Sequence, residues 1–353
     1  MKLLFDNIIF ASQKSGGISV VWYELLKRVL RDHPEAKFID FTPNDNIMRE
    51  LLDINPTNII PAKKKYKKEL KYLPVFYRSK EPFIFHSSYY RISAGKRAIN
   101  VTTVHDFTNE LYMKGLAALE DRWIKHHAIR HSDAIACISE NTRKDFFKFF
   151  PNFPKNKVKV IYNGVSDTFK PIDKPEEWLY PFNPGEYILF VGARDGYKNF
   201  RLLVDALKEY DINLILTGSQ LTASETSELS QIKGKYHYAG RVSEQELNIL
   251  YNFAYALVYP SLYEGFGLPV IEAQKAGCPV IALKASSIPE IIGNTPLLLD
   301  ESDKDLLIKK LNLLKNKQIR DSVIQEGVTN SCRFSWEKCY QGYLELYKSA
   351  LDK

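Results

Sequence analysis

The sequence contains few features of secreted, membrane-spanning or metal-dependent proteins. No apolar run reaches the roughly 18 residues that a membrane-spanning helix needs. Asp6 comes too early for the amino terminus to be a signal peptide, so this segment is predicted to be a first strand. The four cysteines show no metal-ligand spacing and no disulfide pattern: Cys137, Cys278, Cys332 and Cys339. These absences predict a reducing, cytoplasmic environment.

Two ligand-binding motifs are also missing. The pair Gly16-Gly17 opens a predicted helix but is not part of a G-x-G-x-x-G sequence, which argues against a nicotinamide dinucleotide site. The only Asp-x-Asp pair, Asp303-Lys-Asp305, follows Ser302 and begins an apolar helical run. Ser302 is therefore interpreted as a helix N-cap with acids in the first turn. The sequence predicts neither a metal ion nor a cofactor.

Length and charge indicate two domains of different character. A chain of 353 residues is long for one hydrophobic core, and its 45% hydrophobic and 26% charged residues are typical of a globular protein. Residues 1–168 carry 28 Lys+Arg against 18 Asp+Glu, a net charge of +10. The remaining residues carry 21 against 24, a net charge of −3. The basic first half predicts an anionic partner.

Short apolar runs alternate with helical patterns, which predicts an α/β protein with parallel sheets. The predicted strands are Lys2–Phe5, Lys37–Phe41, Phe83–His86, Ala98–His105, Ala134–Ser139, Val158–Tyr162, Tyr187–Val191, Asn213–Thr217, Tyr236–Ala239, Ala256–Tyr259, Val280–Leu283 and Leu297–Leu299. They form two series, predicting doubly wound domains over 1–168 and 186–334. The proline-rich segment 169–185 is the predicted linker, and an apolar stripe predicts a one-sided helix over 335–353.

The most informative segment is Tyr259–Glu272, in which two glutamates lie eight residues apart around a Gly-Phe-Gly turn. The strand before Pro260 and the helix that begins near Pro269 would aim free backbone N–H groups at a phosphate. Carboxylates beside a diphosphate need another partner, and sugar hydroxyls suit Glu264 and Glu272. Either glutamate alone would more often be structural, because the helix dipole favours an acid at a helix N-terminus.

The whole string resembles the E-x7-E signature of the family 4 retaining glycosyltransferases, which have the GT-B fold. The resemblance implies two Rossmann-like domains facing an inter-domain cleft, and a terminal helix that crosses back onto the first domain. It also implies that Glu272 holds the nucleotide ribose and Glu264 the transferred sugar.

The resemblance also implies a basic residue for the diphosphate at Lys198, after the strand that ends at Val191. Family members often place Arg directly before this Lys, whereas this chain has Tyr197 and carries Arg194 nearby. Preorganised positive charge stabilises a departing diphosphate. The backbone amides of Phe266, Gly267 and Leu268 are expected to assist. Exposed Lys and Arg are otherwise usually solvated surface charges.

Further matches lie elsewhere in the chain. By resemblance, Gly16 and Gly17 let the backbone approach the donor. His105 is expected to contact the transferring sugar, and Asp106 to orient neighbouring backbone or acceptor groups. Val242 lies where family members place backbone around the nucleotide base.

The most basic segment, residues 63–78, leaves two interpretations open. On a helix Tyr66, Leu70 and Leu73 would share one face, which suits peripheral contact with anionic lipid on the inner face of the cytoplasmic membrane. An ordinary solvated helix, packed by its apolar face, fits equally well. No recognition motif for nucleic acid accompanies the charge.

The sequence thus predicts a retaining, metal-independent glycosyltransferase of polysaccharide biosynthesis. It would move a hexose-type sugar from a GDP-mannose or UDP-sugar donor to a glycan acceptor, expected to be lipid-diphosphate-linked. Two alternatives stay open: a GT-B nucleotide-sugar epimerase that needs no acceptor, and a non-catalytic lipid- or nucleic-acid-binding module.

Overall fold

The computed structural model describes residues 1–63, 65, 70–173, 178–194 and 196–352. The chain divides into two compact units. The first comprises Met1–Gly164 together with Trp336–Lys353, and the second comprises Val165–Ser335. Residues 169–185, predicted to be a linker, therefore belong to the second unit.

In the described part of the first unit, seven parallel strands form one sheet in the order β3-β2-β1-β4-β5-β6-β7. The strands are β1 (Leu3–Asp6), β2 (Lys37–Thr42), β3 (Ile59–Lys63), β4 (Phe83–Ser87), β5 (Ala98–Val104), β6 (Ala134–Cys137) and β7 (Val158–Val160). The helices are α1 (Ile8–Ser12), α2 (Gly17–Asp32), α3 (Ile47–Glu50), α4 (Thr108–Leu111), α5 (Leu116–Arg130) and α6 (Glu140–Phe149).

The second unit contains a parallel sheet of six described strands in the order β10-β9-β8-β11-β12-β13. The strands are β8 (Tyr187–Val191), β9 (Asn213–Thr217), β10 (Tyr236–Gly240), β11 (Ala256–Tyr259), β12 (Val280–Leu283) and β13 (Leu298–Leu299). The helices are α7 (Phe200–Leu207), α8 (Ala223–Leu229), α9 (Glu244–Phe253), α10 (Leu268–Lys275), α11 (Ile288–Ile292), α12 (Lys304–Leu313) and α13 (Lys317–Ser331).

The last helix, α14 (Trp336–Leu351), returns to the first unit. Its apolar stripe is buried there, and two of its tyrosines complete a buried polar network. His86 Nδ1 lies 2.7 Å from the Tyr347 hydroxyl, and His86 Nε2 lies 2.9 Å from Thr103 Oγ1. Thr103 Oγ1 in turn lies 2.9 Å from the Tyr343 hydroxyl. Each buried polar atom of this network thus has a partner, as a stable core requires.

The central strands of both sheets form where apolar runs are buried on both faces, as parallel sheets require. β8, β9, β11 and β12 coincide with the predicted runs, and the other predicted strands differ only at their ends. β3 was missed, because Pro61 interrupts its pattern. The structure places β3 at the edge of the sheet, where a strand tolerates proline.

The N-cap of one helix differs from the residue that the sequence predicted. Asp303, not Ser302, is the N-cap of α12, and its Oδ1 accepts a hydrogen bond from the Leu306 amide. Ser302 instead accepts one from Asn199 Nδ2. A carboxylate engaged as a cap satisfies an otherwise unpaired amide.

The helices of the described part of the chain include none that is both long and apolar enough for a membrane span. Part of the predicted basic helix, namely Lys64 and residues 66–69, lies outside the described residues.

Candidate functional site

Three loops meet at the carboxyl edge of the second sheet, where open α/β sheets bind ligands. After β8 the chain makes a short 3₁₀ turn, Gly196–Lys198. After β11 it forms the turn that leads into α10, and after β12 it passes through Ser286 and Ser287 into α11. The Leu262 amide donates to the Tyr197 carbonyl at 2.8 Å, which joins the first two loops.

Lys198 and Glu264 form an ion pair across these loops. Lys198 Nζ lies 2.6 Å from Glu264 Oε1, and the two side chains are 16% and 11% exposed. The ammonium group also lies 5.2 Å from the centre of the Tyr197 ring and 5.6 Å from that of Tyr259. The structure therefore brings together the residues that the resemblance assigns to the diphosphate and to the transferred sugar.

Two serines from the neighbouring loop hold the Glu264 turn in place. The Glu264 amide donates to Ser286 Oγ at 2.7 Å. Ser287 Oγ contacts the carbonyl oxygens of Glu264 at 2.9 Å and Phe266 at 3.1 Å. Ser286 itself has a left-handed φ of 48°, an uncommon conformation for a non-glycine residue. The turn is thus fixed by side chains that the sequence motif does not contain.

Gly267 ends the turn and caps α10 in the left-handed conformation, with φ 94°. A Cβ atom at this position would lie 2.9 Å from Ile288 Cδ1. Both the backbone angle and the close neighbour therefore favour glycine. Leu268 and Pro269 then begin the helix, whose first N–H groups have no partner within the helix. This is the helix start that the sequence predicted.

Glu272 lies one turn into α10, where its carboxyl is partly buried. Burial raises the pKa of Glu272 to about 8, with the nearby Glu244 carboxylate adding to the shift and a hydrogen bond from Tyr251 opposing it. The Tyr251 hydroxyl donates to Glu272 Oε2 at 3.1 Å. Near neutral pH this carboxyl therefore holds a proton much of the time.

Arg194 lies after β8 with its side chain 2% exposed. Its Nε donates to Glu225 Oε1 at 2.7 Å, and its Nη2 donates to the carbonyl oxygens of Ser219 at 2.6 Å and Gln220 at 3.0 Å. The buried Nη1 has no hydrogen-bond partner among the described residues. Arg194 is thus held by the loop after β9.

Val242 lies between β10 and α9, where it is half-buried. The loops around it are joined, because the Gly218 amide donates to the Gly240 carbonyl at 2.8 Å. The Tyr238 hydroxyl donates to the Gly218 carbonyl at 3.0 Å. The backbone near Val242 is therefore a connected surface at the same sheet edge.

His105 and Asp106 follow β5 in the first unit. Burial lowers the pKa of His105 to about 4, with Asp106 opposing the shift and Lys125 adding to it. The imidazole is therefore neutral at pH 7. Asp106 Oδ1 accepts a hydrogen bond from the Thr108 amide at 3.0 Å, so this side chain orients the local backbone.

A buried ion pair supports the His105 loop. Lys125 Nζ lies 2.8 Å from Glu110 Oε2, and both side chains are almost fully buried. The same ammonium donates to the Asp106 carbonyl at 3.0 Å. His126 Nε2 also lies 3.2 Å from Glu110 Oε1. This cluster fixes the backbone on which His105 is carried.

The glycine pair precedes α2 in the first unit. Gly16 is in extended backbone, with φ 162°, which any residue can adopt. A Cβ atom on Gly16 would lie 2.8 Å from Gln13 Oε1, so the glycine makes room for that side chain. Gly17 is the first residue of the helix.

Next to this loop the first unit contains a cavity of about 420 Å³. Its lining combines apolar and polar side chains: Ile8, Ile9, Ser12, Gln13, Ile18, Lys71, Tyr89 and Asp121. Burial raises the pKa of the Asp121 carboxyl above its ordinary value, with Lys71 opposing the shift. The cavity is large enough for a sugar residue and offers hydrogen-bonding groups.

Sequence reasoning missed the residues that support the predicted ones. Ser286, Ser287, Tyr251 and Lys125 each contact a predicted residue that is distant in sequence, and Glu110 pairs with Lys125. The Ser286-Ser287 pair after a buried strand was the only local signal, since hydroxyls often brace turns.

Two family models match successive parts of the chain: Glycosyltransferase Family 4 over residues 15–169 and Glycosyl transferases group 1 over residues 180–330. An O-antigen chain mannosyltransferase B of Escherichia coli is 29% identical, covering 77% of this chain and 75% of its own length. An uncharacterized glycosyltransferase of Methanocaldococcus jannaschii is 31% identical, covering 72% of this chain and 69% of its own length.

Solved structures show the same fold. HepE of Anabaena, crystallised in complex with UDP and glucose, matches with a TM-score of 0.72 at 17% identity, covering 99% of this chain and 100% of HepE. WaaG, a glycosyltransferase involved in lipopolysaccharide biosynthesis, matches with a TM-score of 0.68 at 12% identity, covering 98% and 99% of the two chains. The chain therefore belongs to the family 4 glycosyltransferases, with two Rossmann-like domains of the GT-B type, and it is a glycosyltransferase of polysaccharide biosynthesis.

Proposed function

We propose that this protein is a retaining glycosyltransferase that moves a hexose from a nucleotide-diphosphate sugar to a glycan acceptor. The observation that carries the proposal is the Lys198–Glu264 ion pair, 2.6 Å long, beside the glycine turn at the start of α10. This pair supports the proposal because a cation beside the amides of a helix start suits a diphosphate, and a carboxylate suits sugar hydroxyls. Relatives named as mannosyltransferases favour mannose as the sugar, and HepE with bound UDP supports a nucleotide donor.

Each site residue has a specific task in this proposal. Glu272 accepts hydrogen bonds from the ribose hydroxyls, and Glu264 accepts them from the transferred sugar. Lys198 gives up part of its contact with Glu264 and binds the diphosphate instead. The amides of Phe266, Gly267 and Leu268 assist it. Preorganised donors of this kind stabilise the charge that develops on the leaving group.

Arg194 has a supporting part. Three of its contacts are fixed to Glu225 and the loop after β9, but Nη1 is buried without a partner among the described residues. A buried guanidinium N–H without an acceptor is costly, and a phosphate oxygen would satisfy it. Arg194 therefore supplies the second positive charge that many family members carry beside the lysine.

The transfer itself needs no covalent intermediate with the protein. The acceptor hydroxyl oxygen bonds to the anomeric carbon from the same face that the diphosphate leaves, and the carbon–oxygen bond to the diphosphate breaks. The acceptor proton passes to the departing phosphate oxygen. Neutral His105 contacts the sugar as a hydrogen-bonding partner, because its lowered pKa of about 4 keeps it uncharged.

The proposed reaction is independent of a metal ion. The diphosphate charge is met by Lys198, Arg194 and helix amides, whereas Asp303 is engaged as a helix cap. On the acceptor side, the 420 Å³ cavity of the first unit is where we place the glycan end of a lipid-linked acceptor. The basic first half of the chain suits an acceptor that carries a diphosphate.

The test compares Lys198→Ala and Glu264→Gln with the wild-type protein in nucleotide-sugar binding and sugar transfer. Loss of one preorganised contact to the leaving group is expected to lower kcat by about 10²- to 10³-fold. Lys284→Ala is the matched control, since Lys284 also pairs with an acid of the second unit, Asp300, but lies on the exposed surface. GDP-mannose and UDP-hexoses are the donors to screen.

Three outcomes would contradict the proposal. Unchanged sugar transfer by Lys198→Ala would rule out the role of Lys198 at the diphosphate. A product of inverted configuration would rule out the retaining mechanism. Epimerised donor formed without any acceptor would favour an epimerase instead.

A further inference from the structure

Two histidines that have no task in the proposed transfer lie at the carboxyl end of α5. His127 belongs to the last turn of this helix, and His131 is its C-cap. Residues four positions apart share one face of a helix. The two imidazole rings are accordingly close, with their centres 4.3 Å apart and their planes inclined at 38°. Histidines at this spacing bind a metal ion when one nitrogen of each ring points to the same position.

The separation of the two rings suits a single small metal ion. Bonds from a histidine nitrogen to zinc are about 2.0–2.1 Å long, so two nitrogens on a tetrahedral ion lie roughly 3.4 Å apart. Rings whose centres are 4.3 Å apart and whose planes are inclined can direct one nitrogen each to such an ion. Histidines on opposite faces of the helix could not share an ion in this way.

A hydrogen bond to the backbone determines which nitrogen of His131 carries the proton. His131 Nδ1 lies 2.8 Å from the His127 carbonyl oxygen. A carbonyl oxygen only accepts, so Nδ1 is the donor, and Nε2 of the neutral ring keeps a free lone pair. Metal-bound histidines almost always donate their other N–H to a carbonyl, a carboxylate or water, which fixes the tautomer and the ring orientation. His131 therefore already makes the supporting hydrogen bond that is typical of a metal ligand.

Trp123 orients the ring of the other histidine. The Trp123 and His127 rings are stacked, with their centres 5.3 Å apart and their planes inclined at 12°. Within the described part of the chain, neither ring nitrogen of His127 has a hydrogen-bond partner. The ring is thus held by stacking while its nitrogens are left for a ligand.

The electrostatic environment at this end of α5 suits an added cation. The carboxyl end of a helix carries partial negative charge on its last carbonyl groups, which favours positive charge nearby. Arg130 is the cation next to the pair in the sequence, and its guanidinium packs over the Phe150 ring, 6.0 Å from the ring centre. The charge of Arg130 is therefore engaged in a contact with an aromatic ring.

We propose that His127 and His131 form a binding site for a transition-metal ion of the class of Cu²⁺, Ni²⁺ and Zn²⁺. Nε2 of His131 and a ring nitrogen of His127 bind the ion. Water fills its other positions, because no group of three or more His, Cys, Asp or Glu is arranged around a metal position within the described residues. Imidazole suits these ions, and Cu²⁺ binds most tightly among them. Two protein ligands make the site reversible, whereas permanent structural zinc sites use four.

The bound ion would link the last turn of α5 to its C-cap. The same helix carries Lys125, which donates to the Asp106 carbonyl at 3.0 Å and pairs with Glu110. An ion that binds only the folded helix end opposes its fraying, so it stabilises the part of α5 that supports the His105 loop. The site belongs to the first unit, whereas the proposed diphosphate site belongs to the second. The proposed transfer therefore still requires no metal.

The experiment is isothermal titration of the full-length protein with NiCl₂ and with CuCl₂, without donor or acceptor. The protein carries no polyhistidine tag and is first treated with a chelator. We expect one ion per chain. His127→Ala and His131→Ala are each expected to weaken binding at least about tenfold, because each variant removes one of the two ligands. Mg²⁺ should not bind, because it prefers oxygen ligands.

His33→Ala is the matched control for these variants. His33 is a single histidine of the same unit, and its ring lies beside Glu35 instead of a second histidine. His33→Ala should therefore bind Ni²⁺ and Cu²⁺ as the wild type does. A cooperative melting transition without metal shows that each variant is folded.

Electron paramagnetic resonance of the Cu²⁺ complex identifies the ligands, with coupling to two nitrogens expected in the wild type and to one in either variant. Saturating Ni²⁺ should raise the melting temperature of the wild type by at least about 2 °C and leave both variants unchanged. Absence of binding by the wild type would overturn the proposal, and so would binding that both variants retain. Equal weakening by His33→Ala would also overturn it, because the ions would then bind scattered surface histidines. None of these results depends on the proposed transfer.

Discussion

At the scale of single residues, the proposed role of Glu272 predicts that donor binding depends on pH. Its pKa of about 8 means that about a tenth of the carboxyls are ionised at about pH 7 and about nine tenths at about pH 9. Ribose hydroxyls bind the ionised form better, so nucleotide affinity is expected to rise by up to roughly tenfold over this range. Isothermal titration with nucleoside diphosphate at several pH values measures the effect, and Glu272→Gln should show no such rise.

The neighbouring Glu244 provides a control for this prediction. Its charge raises the pKa of Glu272, so Glu244→Gln should move the midpoint of the binding curve to lower pH. The folding stability should depend on pH with the opposite sign and fall as pH rises. Because the folded-state pKa lies above the ordinary value, protonation favours folding, and that contribution is lost as pH rises toward about 8. Glu272→Gln should therefore melt above the wild type at alkaline pH. A wild-type affinity that is flat with pH would contradict the assignment of Glu272 to the ribose.

At the scale of elements, the turn before α10 depends on the loop that follows β12. Ser287→Ala removes a hydroxyl that contacts the carbonyls of Glu264 and Phe266. Leaving buried carbonyls unpaired costs about 1–3 kcal/mol. We expect a lower melting temperature and a higher KM for the donor, because the glutamate is less firmly placed. Differential scanning calorimetry and donor-dependent kinetics measure the two effects.

Ser230→Ala is the comparison for this variant, since Ser230 Oγ also donates to a carbonyl, that of Ser227, but on the exposed surface. Ser230→Ala should change neither the melting temperature nor the KM for the donor. An unchanged KM for Ser287→Ala would show that the turn is held without this hydroxyl.

The elements themselves were largely predictable, whereas the contacts between them were not. Apolar runs located most strands, because a buried parallel strand needs a largely apolar stretch, whereas β3, with Pro61, was missed. The Lys198–Glu264 contact joins residues 66 positions apart, and only the family resemblance placed both in one site. Ser286 and Ser287 could not be assigned, since nothing local shows which turn a serine will brace.

At the scale of the whole molecule, α14 completes the first unit. Tyr347→Phe removes the hydroxyl that His86 Nδ1 contacts at 2.7 Å in a fully buried setting. Burial lowers the pKa of His86 to about 3, so the imidazole is neutral and needs hydrogen-bond partners. Losing one is expected to cost about 1–3 kcal/mol, which lowers the melting temperature of a unit of this size by roughly 2–10 °C.

Tyr23→Phe is the matched control in the same unit, since the Tyr23 side chain is half-buried against Lys27. In calorimetry, Tyr23→Phe should have the melting temperature of the wild type. Equal melting of the Tyr347 variant and the wild type would mean that water replaces the missing hydroxyl.

The contact of α14 with the first unit also determines where the protein can be divided into fragments. Because the first unit is made of Met1–Gly164 and Trp336–Lys353, the second unit is an insertion bounded by Gly164–Val165 and Ser335–Trp336. A fragment spanning 165–335 is continuous and keeps its own sheet, so we expect it to fold alone and, by the proposed function, to bind a nucleotide. A fragment that stops at residue 164 lacks Tyr343 and Tyr347, which leaves Thr103 and His86 short of their partners. Because Tyr343 and Tyr347 follow residues 165–335 in the chain, the second unit is synthesised before the core of the first unit can be completed.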